Sequence, residues 1–286
     1  MAVARRLDDV ELVSVDSMQV YRGMDVGTAK PTPAEQAEIP CHLVDLAEPE
    51  ESFSVARFQA AAAGVLAGIE ARGHRALLVG GTGLYLHAVV DGLAVPGEWP
   101  DVRTALEAEV ATTGAPALHR RLAELDPAAA ARMEPTNARR LVRALEVTVG
   151  SGRPFSSFGP GMGSFPGGRF RLAGVWLPRQ VVAERIAARY VDQLASGFVD
   201  EVRALAARGP TGLSRTARQA LGYRELLDHV AGRCTLDEAV DLAVRRTRRF
   251  ARRQRAWFRR DPRICWLGSA GNPVAVLPAL LGHWAT

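Results

Sequence analysis

Lysine is nearly absent from this chain: Lys30 is the only one in 286 residues. A phosphate-binding loop of the form G-x-x-x-x-G-K-[ST] needs a lysine directly after glycine. Lys30 follows Ala29 and precedes Pro31, so no such loop occurs in these residues. Cysteine is scarce as well. Cys41, Cys234 and Cys265 are scattered and form no C-x-x-C pair. Neither a disulfide framework nor a zinc site is indicated, and a reducing cytoplasm is the expected compartment. Cys41-His42 has no companions at ligand spacing, so a structural role is expected for that pair. No apolar run is long enough to span a membrane, and Arg5, Arg6, Asp8 and Asp9 interrupt any secretory leader.

What is present reads as a folded protein. Hydrophobic residues make up 48% and charged residues 23%, which excludes a disordered chain. The length allows one or two domains. Net charge is +5 but unevenly spread. Ten arginines lie between Arg245 and Arg263, opposed only by Asp261. A local positive field of that kind favours a polyanionic partner.

The pattern along the chain predicts an α/β fold with an inserted helical segment. Ala2–Leu7 reads as the end of a helix and Glu11–Val15 as a strand. Phe53–Ala71 reads as a helix, with Ser52 or Ser54 as cap and Gly73 as stop. Ala76–Val79 looks like a buried parallel strand entering the turn Gly80-Gly81-Thr82-Gly83. Asp101–Gly150 carries almost only helical signal, and Gly150–Gly168 is a glycine- and proline-rich loop. Leu172–Leu177 returns to strand. Long helical stretches are predicted over Val181–Ala207 and Arg215–Val230. Thr235 and Glu238 form a capping box for a helix reaching about Phe258, and Ile264–Leu267 is a candidate last strand. This order predicts one parallel sheet, with residues 1–99 and 167–286 as the core domain and 100–166 as the insert.

The chemistry concentrates in four places. The strand Glu11–Val15 ends on Asp16, followed by Ser17, Met18 and Gln19, in D-S-M-Q-V-Y-R-G-M-D-V-G-T-A-K-P. An aspartate just past the carboxyl end of a parallel strand sits where open α/β sheets place ligands. The second place is Gly80-Gly81-Thr82-Gly83-Leu84-Tyr85, whose bland role is close packing of strand, turn and helix. The third comprises Arg103 in P-D-V-R-T-A-L-E and the cluster Arg139, Arg140 and Arg143, which share a helix face. The fourth is T-R-R-F-A-R-R-Q-R-A-W-F-R-R, Thr247–Arg260, with Q-A-L-G-Y-R-E, Gln219–Glu225, upstream of it. Val240, Val244, Thr247, Ala251, Gln254 and Phe258 recur at helical spacing, which predicts one core-facing stripe with arginines on the rest.

These four blocks together resemble the signatures of the tRNA dimethylallyltransferases, also called tRNA isopentenyl transferases or the IPP transferase family. The resemblance runs from Ala4 onward. It departs at Arg139, where the family carries glutamine; arginine can donate there but cannot accept. The resemblance implies a P-loop NTPase-like parallel sheet flanked by helices, with the insert gripping tRNA. It also implies a first strand and a phosphate loop, and both are expected to be absent here. Either a start assigned too late or a truncated copy accounts for that, with weak diphosphate binding and lower stability as the expected result.

The implied reaction moves a dimethylallyl group from its diphosphate to N6 of the adenosine 3′ of the anticodon. Adenine N6 is a weak nucleophile, so a carboxylate that takes its proton as the C–N bond forms is chemically apt. The resemblance makes Asp16 that base, with Thr82 and Arg103 beside it in the reaction channel. It assigns tRNA contacts to Asp16, Ser17, Met18, Gln19, Arg139, Arg140, Arg143, Arg248, Arg252 and Arg253. Arg103 and Arg224 are candidates for the diphosphate. Mg²⁺ is the implied cofactor, with no ligand set for it identifiable on the protein. The implied partners are the anticodon stem-loop and dimethylallyl diphosphate, acting on a cytoplasmic monomer. A free-nucleotide (adenylate) isopentenyltransferase and a non-catalytic tRNA-binding remnant are the alternatives.

Overall fold

The fold comes from a computed structural model that describes residues 1–159, 161 and 163–285. The order is β1 (Val10–Val15), α1 (Pro33–Glu38), β2 (Cys41–His42), α2 (Val55–Ala71), β3 (Arg75–Gly80) and α3 (Gly83–Val90). Four helices follow: α4 (Pro100–Thr113), α5 (Ala115–Leu125), α6 (Pro127–Ala130) and α7 (Ala138–Ser151). The chain continues through β4 (Ala173–Trp176), α8 (Arg179–Ala195), α9 (Phe198–Ala206), α10 (Tyr223–Val230), α11 (Leu236–Phe258), β5 (Cys265–Gly268) and α12 (Leu277–Ala285). Pro160 and Met162 of the predicted glycine-rich loop lie outside the described residues.

Two compact units result. One comprises Met1–Val90 with Gly167–Thr286, and the other Asp91–Pro166. The insert was expected to begin at residue 100. It begins earlier because Trp99 N–H donates to Glu146 at 2.9 Å and the Pro96 carbonyl accepts from Arg143 at 3.0 Å.

In the first unit β1 lies between β2 and β3, all parallel, with Val15 opposite Gly80. The core gathers Val13, Val15, Tyr21, Phe58, Ile69, Phe198 and Tyr223. On α2, Phe58, Ala62, Leu66 and Ile69 recur every three or four residues, so one stripe of the helix is buried. Ser54 caps it by accepting from Arg57 N–H.

One continuous sheet was expected, and two are found: β4 pairs in parallel with β5, apart from β2-β1-β3. Strand β3 was also expected to be buried. Its middle is half-buried and Val79 is 53% exposed; among the described residues β3 pairs with β1 alone, which makes it an edge strand. Val175 and Trp176 of β4 are exposed in the same way.

The two long helical stretches predicted in the carboxyl half are each broken. Gly197 (φ +90°) separates α8 from α9, and Gly222 (φ +84°) starts α10 after a short 3₁₀ turn at Ala217–Gln219. Only glycine takes such φ values at low cost, and a Cβ on Gly222 would stand 2.9 Å from the Phe198 ring. The capping box at Thr235 and Glu238 forms as expected, opening α11.

The second unit is helical. Leu106, Leu118, Leu122, Leu141 and Leu145 meet in its core. Asn137 caps α7 and Asp126 caps α6 through side-chain oxygens that accept backbone N–H groups.

Candidate active site

The parallel register brings the two glycine- and acid-bearing turns together. Because Val15 pairs with Gly80, the chain leaving β1 and the chain leaving β3 emerge side by side at the carboxyl edge of the sheet. Thr82 Oγ1 accepts from the Ser17 N–H at 3.2 Å and donates to Ser17 Oγ at 3.4 Å. Glycine is required at the turn by close approach. A Cβ on Gly80 would sit 2.1 Å from the Val15 carbonyl oxygen.

Asp16 is half-buried, and its Oδ1 accepts from Met18 N–H at 2.8 Å. Among the described residues no cation pairs with it. It lines a cavity of about 220 Å³ with Ser14, Gln19, Val13, Val44 and Val79. The carboxylate is therefore reachable rather than sealed in the core. Gln19 is held firmly: Oε1 accepts from Ser14 Oγ at 2.7 Å, while Nε2 donates to the carbonyls of Thr28 and Ala29 at 3.1 and 3.2 Å. Met18 packs against the main core.

The loop that holds Gln19 is itself held by Glu201 and Gln193, which the sequence reading passed over, and by Lys30, which it weighed only as a phosphate-loop lysine. Glu201 accepts the N–H groups of Asp25, Val26 and Gly27 at 2.8, 2.7 and 3.1 Å, and the Tyr223 hydroxyl at 2.5 Å. Burial, with Glu201 beside it, pushes the Tyr223 phenol well above its ordinary pKa. Gln193 donates to the Val26 and Gly27 carbonyls. Lys30, buried, donates to Asp25 at 2.5 Å, Asp45 at 2.6 Å and the Tyr21 carbonyl at 2.8 Å. Nothing in the spacing of Glu201 announced this, since the backbone N–H groups it accepts lie more than 170 residues away.

The arginines of α11 divide by partner. Arg246 pairs with the buried Glu225, Arg248 donates to the Ala183 carbonyl at 3.2 Å, and Arg253 lies over Phe250. Arg245, Arg249, Arg252 and Arg259 are exposed and recur at helical spacing along one face. Arg255 is half-buried, with its guanidinium carbon 5.0 Å from the centre of the Trp176 ring at the end of β4. Burial, then the like charges of Arg259 and Arg179, lower its pKa. Arg255 thus stands at the carboxyl end of β4, within reach of the charges of Arg179 and Arg259. The arginine run was visible in the sequence; this grouping required the fold. Arg224 on α10 is exposed.

The insert carries its own charged centre. Glu146 is fully buried on α7. Arg103 donates to its Oε2 at 2.9 Å, Arg143 lies 3.0 Å from Oε1, and Trp99 N–H donates to Oε1. Burial opposes ionisation of this carboxyl, but the Trp99 N–H and the two guanidinium groups outweigh it and hold the pKa below the ordinary value. Arg139 and Arg140 are exposed on the first turn of α7. The sequence reading placed Arg103 and Arg143 in this segment but missed the carboxylate they share.

Among the described residues no group of three or more His, Cys, Asp or Glu side chains could hold a metal ion, and no helix is long and apolar enough to cross a membrane. His42 is used by Glu11, and Cys41 Sγ donates to the Ile39 carbonyl.

A family model described as "IPP transferase" matches residues 19–261. The chain belongs to the IPP transferase family. A tRNA dimethylallyltransferase of Kineococcus radiotolerans is 52% identical over 90% of this chain and 80% of its own length. One of Streptomyces avermitilis is 48% identical over 97% of this chain and 88% of its own. Among solved structures, the tRNA isopentenylpyrophosphate transferase of Bacillus halodurans matches at 37% identity and a TM-score of 0.67, over 99% of this chain and 90% of that one. A eukaryotic dimethylallyltransferase acting on tRNA, 22% identical with a TM-score of 0.75, shares the fold over 94% of this chain and 69% of that one.

Proposed function

We propose that this chain is a tRNA dimethylallyltransferase with Asp16 as its general base. The reading is carried by one observation: a half-buried carboxylate beside a cavity, next to the Ser17–Thr82 contact at the sheet edge. In the reaction, adenine N6 attacks C1 of the dimethylallyl group. The C1–O bond breaks, and its electron pair leaves with the diphosphate. The N6 proton passes to the Asp16 carboxylate. A stacked base cannot reach such a carboxylate, so the adenine is turned out of the stem-loop toward it.

The exposed arginines of α11, including Arg248, Arg252 and Arg253, meet RNA phosphates, and Arg139 and Arg140 do so on the insert. Arg103 and Arg143 act from their shared carboxylate. Arg179, Arg255 and Arg259 serve the diphosphate, with exposed Arg224 as a further candidate. Among the described residues no group of three or more His, Cys, Asp or Glu side chains marks a site for Mg²⁺; the ion, when bound, would screen the charge of the leaving diphosphate, and no step here depends on it. A monomer acting in the cytoplasm suits this reading.

The divided sheet bears on the diphosphate. The carboxyl ends of β3 and β4 both meet α11, at Gln254 and Arg255. We read their open edges as flanks for one further parallel strand ending in a phosphate loop. The expected result is weak binding of dimethylallyl diphosphate by these 286 residues, tightened when a strand and loop of that kind is supplied. Tight unaided binding would overturn this part.

The activity test uses the protein with dimethylallyl diphosphate and either unmodified tRNA or AMP, read by mass spectrometry of the adenosine. Prenylated tRNA with untouched AMP is expected. Prenylated AMP would favour the free-nucleotide enzyme, and RNA binding without transfer would favour the remnant.

A further inference from the structure

The arginine-rich helix does more than carry charge. Its core-facing stripe contains a polar residue, Gln254, whose Nε2 donates to the Gly81 carbonyl at 3.0 Å. A Cβ on Gly81 would fall 1.8 Å from that nitrogen, so the amide lies directly against the backbone of the turn. One turn of α11 further on, Trp257 does the same to Gly83. Its Nε1 lies 2.3 Å from where a Gly83 Cβ would be, and that nitrogen is buried with no hydrogen-bond partner among the described residues. The Trp257 ring is fixed by an edge contact with His87 of α3 at 6.2 Å, and Arg260 covers it at 4.4 Å. Residues three apart on a helix project from one face, so Gln254 and Trp257 grip the turn on both sides of Thr82.

Thr82 in turn holds Ser17, the residue after Asp16. A continuous set of contacts therefore runs from α11 through Gly81 and Thr82 to Ser17. We propose that Gln254 is a positioning residue that sets Thr82, and through it the Ser17 backbone, for the transfer step. It makes this contact through the turn and does not touch RNA. The inference rests on the reading of Asp16 and Thr82 given above. It adds that the helix presenting arginines to RNA phosphates also fixes the geometry of the reaction channel. A small misplacement of groups at a reacting centre is costly, so the effect falls on turnover rather than on RNA affinity.

The contact can be broken from either side. Gln254→Ala removes the donor, and Gly81→Ala drives a methyl group into it. Each variant, the double variant, Thr82→Ala and Thr82→Ala/Gln254→Ala are compared for kcat, KM for tRNA, and hydrogen exchange of residues 80–84. Gln254→Ala is expected to lower kcat by about tenfold, with KM for tRNA changed less than about twofold. Exchange at the turn should accelerate. Gly81→Ala and Gln254→Ala should be far from additive, and Gln254→Ala should add little once Thr82 is gone. The proposal is overturned by a raised KM at constant kcat, which would make Gln254 an RNA contact. Full additivity with Thr82→Ala, or unchanged exchange at the turn, would also overturn it. Should the wild-type chain transfer nothing, the enzymatic reading fails alone, and the exchange data still decide whether Gln254 holds the turn.

Discussion

Strand β1 carries a carboxylate at each end, and the molecule treats the two oppositely. Glu11, near the start, is buried and enclosed by Arg72 at 2.8 and 2.9 Å, His42 at 2.5 Å and His74 at 2.8 Å. Hydrogen bonding to Arg72 outweighs burial and, with the two imidazoles, pulls its pKa from 4.5 down to about 2. Asp16, just past the other end, keeps one backbone partner and an open cavity. A carboxylate saturated with donors has little left to offer a substrate. One held by a single N–H retains an oxygen that can accept a proton. One end of the strand thus bears an acid spent on structure, the other the acid we propose as the base, and their surroundings distinguish them.

The sharpest way to break this contrast is to neutralise each acid in turn. Asp16→Asn should reduce transfer by roughly 10²–10⁴-fold, the usual range for loss of a general base, while leaving the melting temperature near wild type. Wild-type turnover in this variant, measured by single-turnover prenylation of tRNA, would remove Asp16 from the mechanism. Glu11→Ala should do the reverse. Removing Glu11 takes one carboxylate from Arg72, His42 and His74 at once, and the exposure of Arg72 and His74 tempers the loss of stability. Urea unfolding would read that loss, with kcat at low temperature unchanged.

A smaller effect separates the two acids by pH. The folded-state pKa of Glu11 is depressed, so its contribution is complete above 4.5 and is lost as pH falls toward about 2. Unfolding free energy measured across that window should decline in the wild type and run flatter in Glu11→Gln. The smallest effect concerns RNA. Arg249→Ala and Arg252→Ala should each lower the slope of log affinity against log salt by about 1, without changing which RNA is preferred.

Much of this was legible in the chain because it is local. The run Val13–Val15 into Asp16, the T-x-x-E cap of α11 and the helices of the insert each depend on residues within a few positions of one another. The breaks at Gly197 and Gly222 were not legible. A glycine inside a periodic pattern can be tolerated or can reverse φ, and the packing of Phe198 against Gly222 decides it. The two-residue β2 is too short to leave a pattern. The separation of β4 and β5 from the larger sheet depends on which edges meet, which no single stretch encodes. At the site, Asp16, Ser17 and Thr82 were identified by their motifs and do come together. Glu201 and Gln254 were missed because the backbone groups they hold are distant in sequence, and Glu146 because Arg103 and Trp99 join its neighbour Arg143 around it only in the fold. Gln254 left one clue, as a polar residue on an otherwise core-facing helical stripe.

Lys30 is the only side-chain amine, and it is clamped between Asp25 and Asp45 beneath the loop that Glu201 holds. An amine-directed acylating reagent therefore finds no lysine on the folded surface. Acylation of this one residue becomes a clock for the opening of that loop, and its rate reports how often the wall beside Gln19 comes apart.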